Sequence, residues 1–163
     1  AGQQMTKPIY DDLRANFPDE SVICFTGKQE EIYMALMKDY AMPSTDAGAY
    51  AEGEGHPQIA GTYPKYLIEM VRERQFLTME EAVYKASLLP AKFFKLKTKG
   101  VIAPGMDADI VVVDLKNLKD NAAFPHLGKP DGKPEGIDEV IVAGKPVVHE
   151  GYFTKIRPGR IIK

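Results

Sequence analysis

The run Ile110-Val111-Val112-Val113, entered through a tight turn at Pro104-Gly105 and bounded by Asp109 and Asp114, is the strongest local constraint in this 163-residue sequence. Proline presets φ and glycine tolerates φ > 0, so the pair turns the chain sharply before an unbroken β-branched segment. Turn followed by strand is therefore expected near residues 100–114, with an aspartate at each end of the strand. Taken alone, this unit carries structure and no chemistry.

Composition narrows the classes. The chain is 44% hydrophobic and 27% charged, enough apolar material for one core of ordinary domain size. Net charge is -2, with 21 basic and 23 acidic residues, and no basic stripe is interleaved with aromatics. Nucleic acid is thus a poor partner for it. No apolar run approaches the roughly 20 residues a membrane span needs, which makes a cytoplasmic protein with no membrane partner the expectation. The single cysteine, Cys24, lies between Ile23 and Phe25 and reads as a core residue, without an internal disulfide partner.

Along the chain, residues 6–17 read as a helix, with Thr6 as cap, Pro8 in the first turn and Ile9, Leu13 and Phe17 on one face. Residues 21–25 read as a buried parallel strand, 29–40 as a helix and 41–46 as a second short strand weakened by Pro43. A loop rich in small residues occupies 47–61, and loops of that length at strand ends often carry sites. Helix 63–76 follows, then a capping-box start at Thr78-Met79-Glu80-Glu81 and a short turn from Pro90. After strand 110–113 comes a polar meander over 115–134, a hairpin of 139–143 with 146–150 around Gly144-Lys145, and a last short strand at Ile161-Ile162.

Five blocks occur in order: Met42-Pro43-Ser44-Thr45-Asp46-Ala47; His56-Pro57-Gln58 with Gly61-Thr62-Tyr63-Pro64; Leu77-Thr78-Met79-Glu80-Glu81-Ala82-Val83 through Leu89-Pro90-Ala91; the run around Pro104-Gly105; and Pro134-Glu135-Gly136-Ile137 with Val140-Ile141-Val142-Ala143-Gly144-Lys145. Together they resemble the C-terminal portion of the metal-dependent amidohydrolase superfamily, in its N-acyl-D-amino-acid deacylase (D-aminoacylase-like) branch. The resemblance covers most of the chain. It implies an α/β fold in which residues 1–98 are the last β/α units of an incomplete (β/α)₈ barrel with following helices, and residues 99–163 are β strands of the companion β domain.

The same resemblance implies the site. Asp46 matches the aspartate ending the last barrel strand, where a carboxylate takes a proton from metal-bound water and returns one to the departing amine. From the residues alone, Asp46 after Ser44-Thr45 reads first as a turn cap, and the catalytic role comes from the resemblance. His56 matches the histidine of a His-Pro-Arg loop, as a substrate-loop residue or a loop-packing one, and Tyr63 stands where phenylalanine is common. Gln58 replaces the arginine of that loop, so a carboxylate-binding role does not transfer.

A metal-dependent amidohydrolase needs several ligands, and His56, His126 and His149 are not in the spacing of such a set. His126 and His149 read as surface or packing residues. The expectation is therefore a C-terminal fragment of a deacylase whose parent binds zinc or another divalent metal and takes a small-molecule amide. The isolated chain would hold no metal, be inactive, and form a homo-oligomer or pair with the missing N-terminal part. The rival expectation is a non-catalytic scaffold or subunit-interaction domain derived from such an enzyme.

Overall fold

The computed structural model describes residues 3–19, 27–48 and 50–162. Among these residues five α-helices precede the sheet: α1 (Lys7–Asn16), α2 (Gln29–Leu36), α3 (Gln58–Leu67), α4 (Met79–Val83) and α5 (Leu89–Phe93). Helix α3 runs on into a π-helical segment, Ile68–Glu73, and a second one, Tyr84–Leu88, joins α4 to α5. Four strands follow, β1 (Ile110–Val113), β2 (Ile137–Val142), β3 (Lys145–His149) and β4 (Tyr152–Phe153). They form one antiparallel meander in the order β1-β2-β3-β4, with Ile110 opposite Ile141 and a register shift between Val112 and Val113.

Local signals explain much of this. The Thr78 hydroxyl accepts the Glu81 N–H at 3.2 Å while the Glu81 carboxylate accepts the Thr78 N–H at 2.8 Å, the reciprocal box expected from the sequence. Strand β1 has the expected limits. The β2–β3 hairpin turns at Ala143-Gly144, with φ of 50° and 73°, the paired left-handed geometry whose twist matches the flanking strands.

Other expectations need correction. The strand over 21–25, and Cys24 within it, lie outside the described residues. Residues 41–46 form no strand or ladder among the described residues. Pro43 has no N–H, and neighbouring carbonyls are engaged by side chains instead: that of Ala41 by Lys85, and that of Asp46 by Gln58. The parallel β/α pairing expected of barrel units is therefore not present among the described residues. The second helix stops at Leu36, short of residue 40.

The loop expected over 47–61 ends earlier, because α3 begins at Gln58 and accommodates both Gly61 and Pro64. Ile161-Ile162 is not a strand and is exposed. Tyr152–Phe153 takes the place instead, folded back on β3 by a left-handed pair at Glu150-Gly151.

The helical core gathers Tyr33, Tyr66, Met70, Leu77 and Ala82. Burial pushes the Tyr66 phenol up to about 12, so it stays neutral, and its hydroxyl donates to the Ala82 carbonyl. Lys85 is a buried cation at 5% exposure whose ammonium donates to the Lys38 carbonyl and, at 3.5 Å, to that of Ala41. It thus satisfies backbone oxygens just beyond the C-terminus of α2, where the helix dipole favours positive charge. Lys85→Met keeps the stem and removes the donor, and is expected to cost about 1–3 kcal/mol in chemical denaturation. An unchanged midpoint and slope would show that those carbonyls find other donors.

Among the described residues no helix is long and apolar enough to cross a membrane.

Candidate active-site loop

Asp46 sits, exposed, at the end of the 41–46 segment that leads into the loop before α3. Gln58, the first residue of α3, reaches back to it: Nε2 donates to the main-chain oxygen of Asp46 at 2.6 Å. The carbonyl of Gln58 accepts from the Thr45 hydroxyl at 3.0 Å and from the Thr62 hydroxyl at 3.0 Å. Its backbone N–H donates to Nδ1 of His56 at 3.1 Å. One residue therefore joins the segment bearing Asp46 to the ring of His56. All the Gln58 bonds to 45–46 involve main chain or hydroxyls, leaving the Asp46 carboxylate outside this network.

The C-terminal meander closes the other side of the loop. The Phe124 ring meets His56 edge to face, centroids 5.1 Å apart and planes at 89°, and stacks with His126 at 6.1 Å. The Gly53 N–H donates to the Asp131 carboxylate at 3.2 Å, and Lys129 lies 3.9 Å from Glu52. Farther along α3, Gly61 leaves room for Asp120: a Cβ there would meet the Asp120 carboxylate at 2.7 Å. Burial against this face raises the Asp120 pKa above the usual carboxylate range.

Tyr63 is on α3 as well, 43% exposed. Five residues after Gln58, it projects roughly 140° around the helix from it and takes no part in these hydrogen bonds. Gln58 and Phe124 are the residues the sequence did not single out as working parts. The signal for Phe124 was present, a single aromatic between Ala123 and Pro125 in an otherwise polar stretch.

The aspartates of the 100–114 run are structural. Asp109 accepts the Ala143 N–H at 2.8 Å and pairs with Lys99, and these contacts hold its carboxyl below the usual range. Asp114 accepts from the Asn117 side chain and from the N–H groups of Asn117 and Lys116, which lowers its pKa and closes the turn after β1.

Among the described residues no group of three His, Cys, Asp or Glu side chains could hold a metal ion. His126 stacks on Phe124, and His149 pairs with Glu139 at 2.6 Å. Among the described residues these side chains form no complete ligand set for the divalent cation that the family resemblance implies.

Residues 29–147 match the amidohydrolase family. The N-acyl-D-glutamate deacylase of Alcaligenes xylosoxydans xylosoxydans is 33% identical over 141 residues, which are 86% of this chain and 28% of that relative. A D-aminoacylase of the same organism is 36% identical over 107 residues, 66% of this chain and 22% of the relative. The crystal structure of N-acyl-D-glutamate deacylase from Bordetella bronchiseptica, complexed with zinc and a phosphonate mimic of the tetrahedral intermediate, superposes with a TM-score of 0.68. It is 29% identical and covers 76% of this chain and 25% of its own. The chain thus spans between about a fifth and a little over a quarter of the length of the proteins it matches. With most of its length inside the matched region, it belongs to the amidohydrolase family, and its relatives lie in the N-acyl-D-amino-acid deacylase branch.

Proposed function

We propose that this chain supplies the acid–base carboxylate and the substrate loop of an enzyme that hydrolyses the amide bond of N-acyl-D-amino acids. The observation that carries the reading is the clasp by which Gln58 ties the Asp46 main chain to the His56 loop while the Asp46 carboxylate remains exposed. In this role Asp46 takes a proton from water as the water oxygen bonds to the amide carbonyl carbon. It returns that proton to the amine nitrogen as the carbon–nitrogen bond breaks, which regenerates the carboxylate. In this reading His56 faces the substrate from the loop. The names of the relatives support an acylated D-amino acid as substrate.

The reading assigns zinc or another divalent cation to segments of a longer protein other than the described residues. Residues 1–98 then belong to the barrel side and 99–163 to the companion β domain. The exposed apolar side chains of the sheet, Val111, Val112, Tyr152 and Phe153, support a further surface of that protein, or a second copy, packing there.

The test uses N-acetyl-D-glutamate and its L isomer, with release of the free amino acid as readout. The full-length protein is expected to cleave the D isomer in preference, and the 163-residue chain alone to cleave neither. Turnover by the 163-residue chain that disappears in Asp46→Asn would show that the site needs no further segment. Failure of the full-length protein on a panel of N-acetyl-D-amino acids would overturn the substrate class.

A further inference from the structure

His56 is half-buried at the head of α3, and its ring is fixed from two directions. The Gln58 backbone N–H donates to Nδ1 at 3.1 Å. A donor facing Nδ1 needs the lone pair there, so the neutral imidazole carries its proton on Nε2. Turning the ring over would set a carbon against that N–H and lose the bond.

Phe124, from the meander after β1, meets the same ring edge to face at 5.1 Å. Its own placement is secured by the stack with His126, and its segment is fastened to the His56 loop through Asp131 to Gly53 and Lys129 to Glu52. Among the described residues no group is hydrogen-bonded to Nε2.

We propose that Phe124 is a positioning residue that holds His56 as an Nε2–H hydrogen-bond donor to an oxygen of the bound acyl-amide, carbonyl or carboxylate. The proposal deepens the hydrolase reading and rests on it for the identity of the acceptor. It makes His56 a donor, with no part as a proton acceptor. It also gives the C-terminal half of the chain a direct share in the substrate loop.

Two measurements separate the proposal from the reaction it serves. In the ¹⁵N-labelled 163-residue chain, long-range proton–nitrogen spectra are expected to show His56 as the Nε2–H tautomer. Phe124→Leu, which keeps apolar bulk without the ring, is expected to yield a mixture of tautomers, and Phe124→Tyr to restore the single one. In the full-length protein, His56→Gln places an amide N–H near the Nε2 position and is expected to keep KM for N-acetyl-D-glutamate within about threefold. His56→Asn, whose amide falls near Nδ1, is expected to raise KM about tenfold with kcat changed less.

An Nδ1–H or doubly protonated ring at neutral pH would overturn the proposal. So would a tautomer unaffected by Phe124→Leu, or equal effects of the two His56 variants. Should the full-length protein cleave no N-acyl amino acid while the tautomer and its dependence on Phe124 hold, the assigned reaction falls and the positioning role is supported.

Discussion

Asp46→Asn is expected to lower kcat for N-acetyl-D-amino-acid hydrolysis in the full-length protein by about 10²–10⁴-fold, with KM little changed. Asparagine keeps the shape of the side chain but neither accepts the water proton nor returns one to the amine. The contact that places residue 46 goes from Gln58 Nε2 to the main-chain oxygen, so it survives the substitution. Asp46 is also exposed, and stability is expected to stay within about 0.5 kcal/mol of the parent. Loss of activity without loss of fold therefore isolates the proton transfer. Near-parental kcat in the Asp46→Asn enzyme would move the acid–base role to another group.

The largest expected stability effect lies away from the loop. Leu118 is fully buried, and the chain around it is held at several points. Arg72 donates one guanidinium nitrogen to the carbonyls of Leu118 at 2.6 Å and Leu115 at 3.1 Å. Lys119 and Glu135 exchange backbone hydrogen bonds, and Gly136 passes so close that a Cβ on it would meet the Leu118 backbone at 2.8 Å. A pocket pinned on so many sides cannot collapse when its contents shrink. Leu118→Ala is expected to cost about 2–5 kcal/mol, read as a lower denaturation midpoint. A loss under about 1 kcal/mol would mean that the 115–118 turn relaxes inward despite these anchors.

What the sequence disclosed depended on the range of the forces involved. The Thr78–Glu81 box and the limits of β1 follow from residues adjacent in the chain, and both were legible. The start of α3 was not: Gly61 and Pro64 suggest interruption, and only the structure shows Gly61 serving the close approach of Asp120. The same held for 41–46, where a partly apolar stretch looks like a strand until the carbonyls of Ala41 and Asp46 are found bonded to Lys85 and Gln58. Family resemblance pointed to Asp46 and His56 as members of a site. Their linkage through Gln58 could not be read, because side-chain to main-chain bonds across a loop leave no period in the sequence. Phe124 was missed for a similar reason, since helices α3 to α5 and strand β1 separate it from its partner along the chain.

The contacts between the 50–58 loop and the 120–131 segment also bear on how such proteins can diversify. A recombination that exchanged residues 99–163 for those of a relative would bring in its own counterpart of Phe124, Asp131 and Lys129 while leaving His56, Gly53 and Glu52 behind. Loop and strap must then be inherited together or re-matched afterward. Changes in the loop are thus coupled to residues as far as 78 positions away, and hybrids cut at that junction are expected to pair well only when both parents share the aromatic and acidic partners.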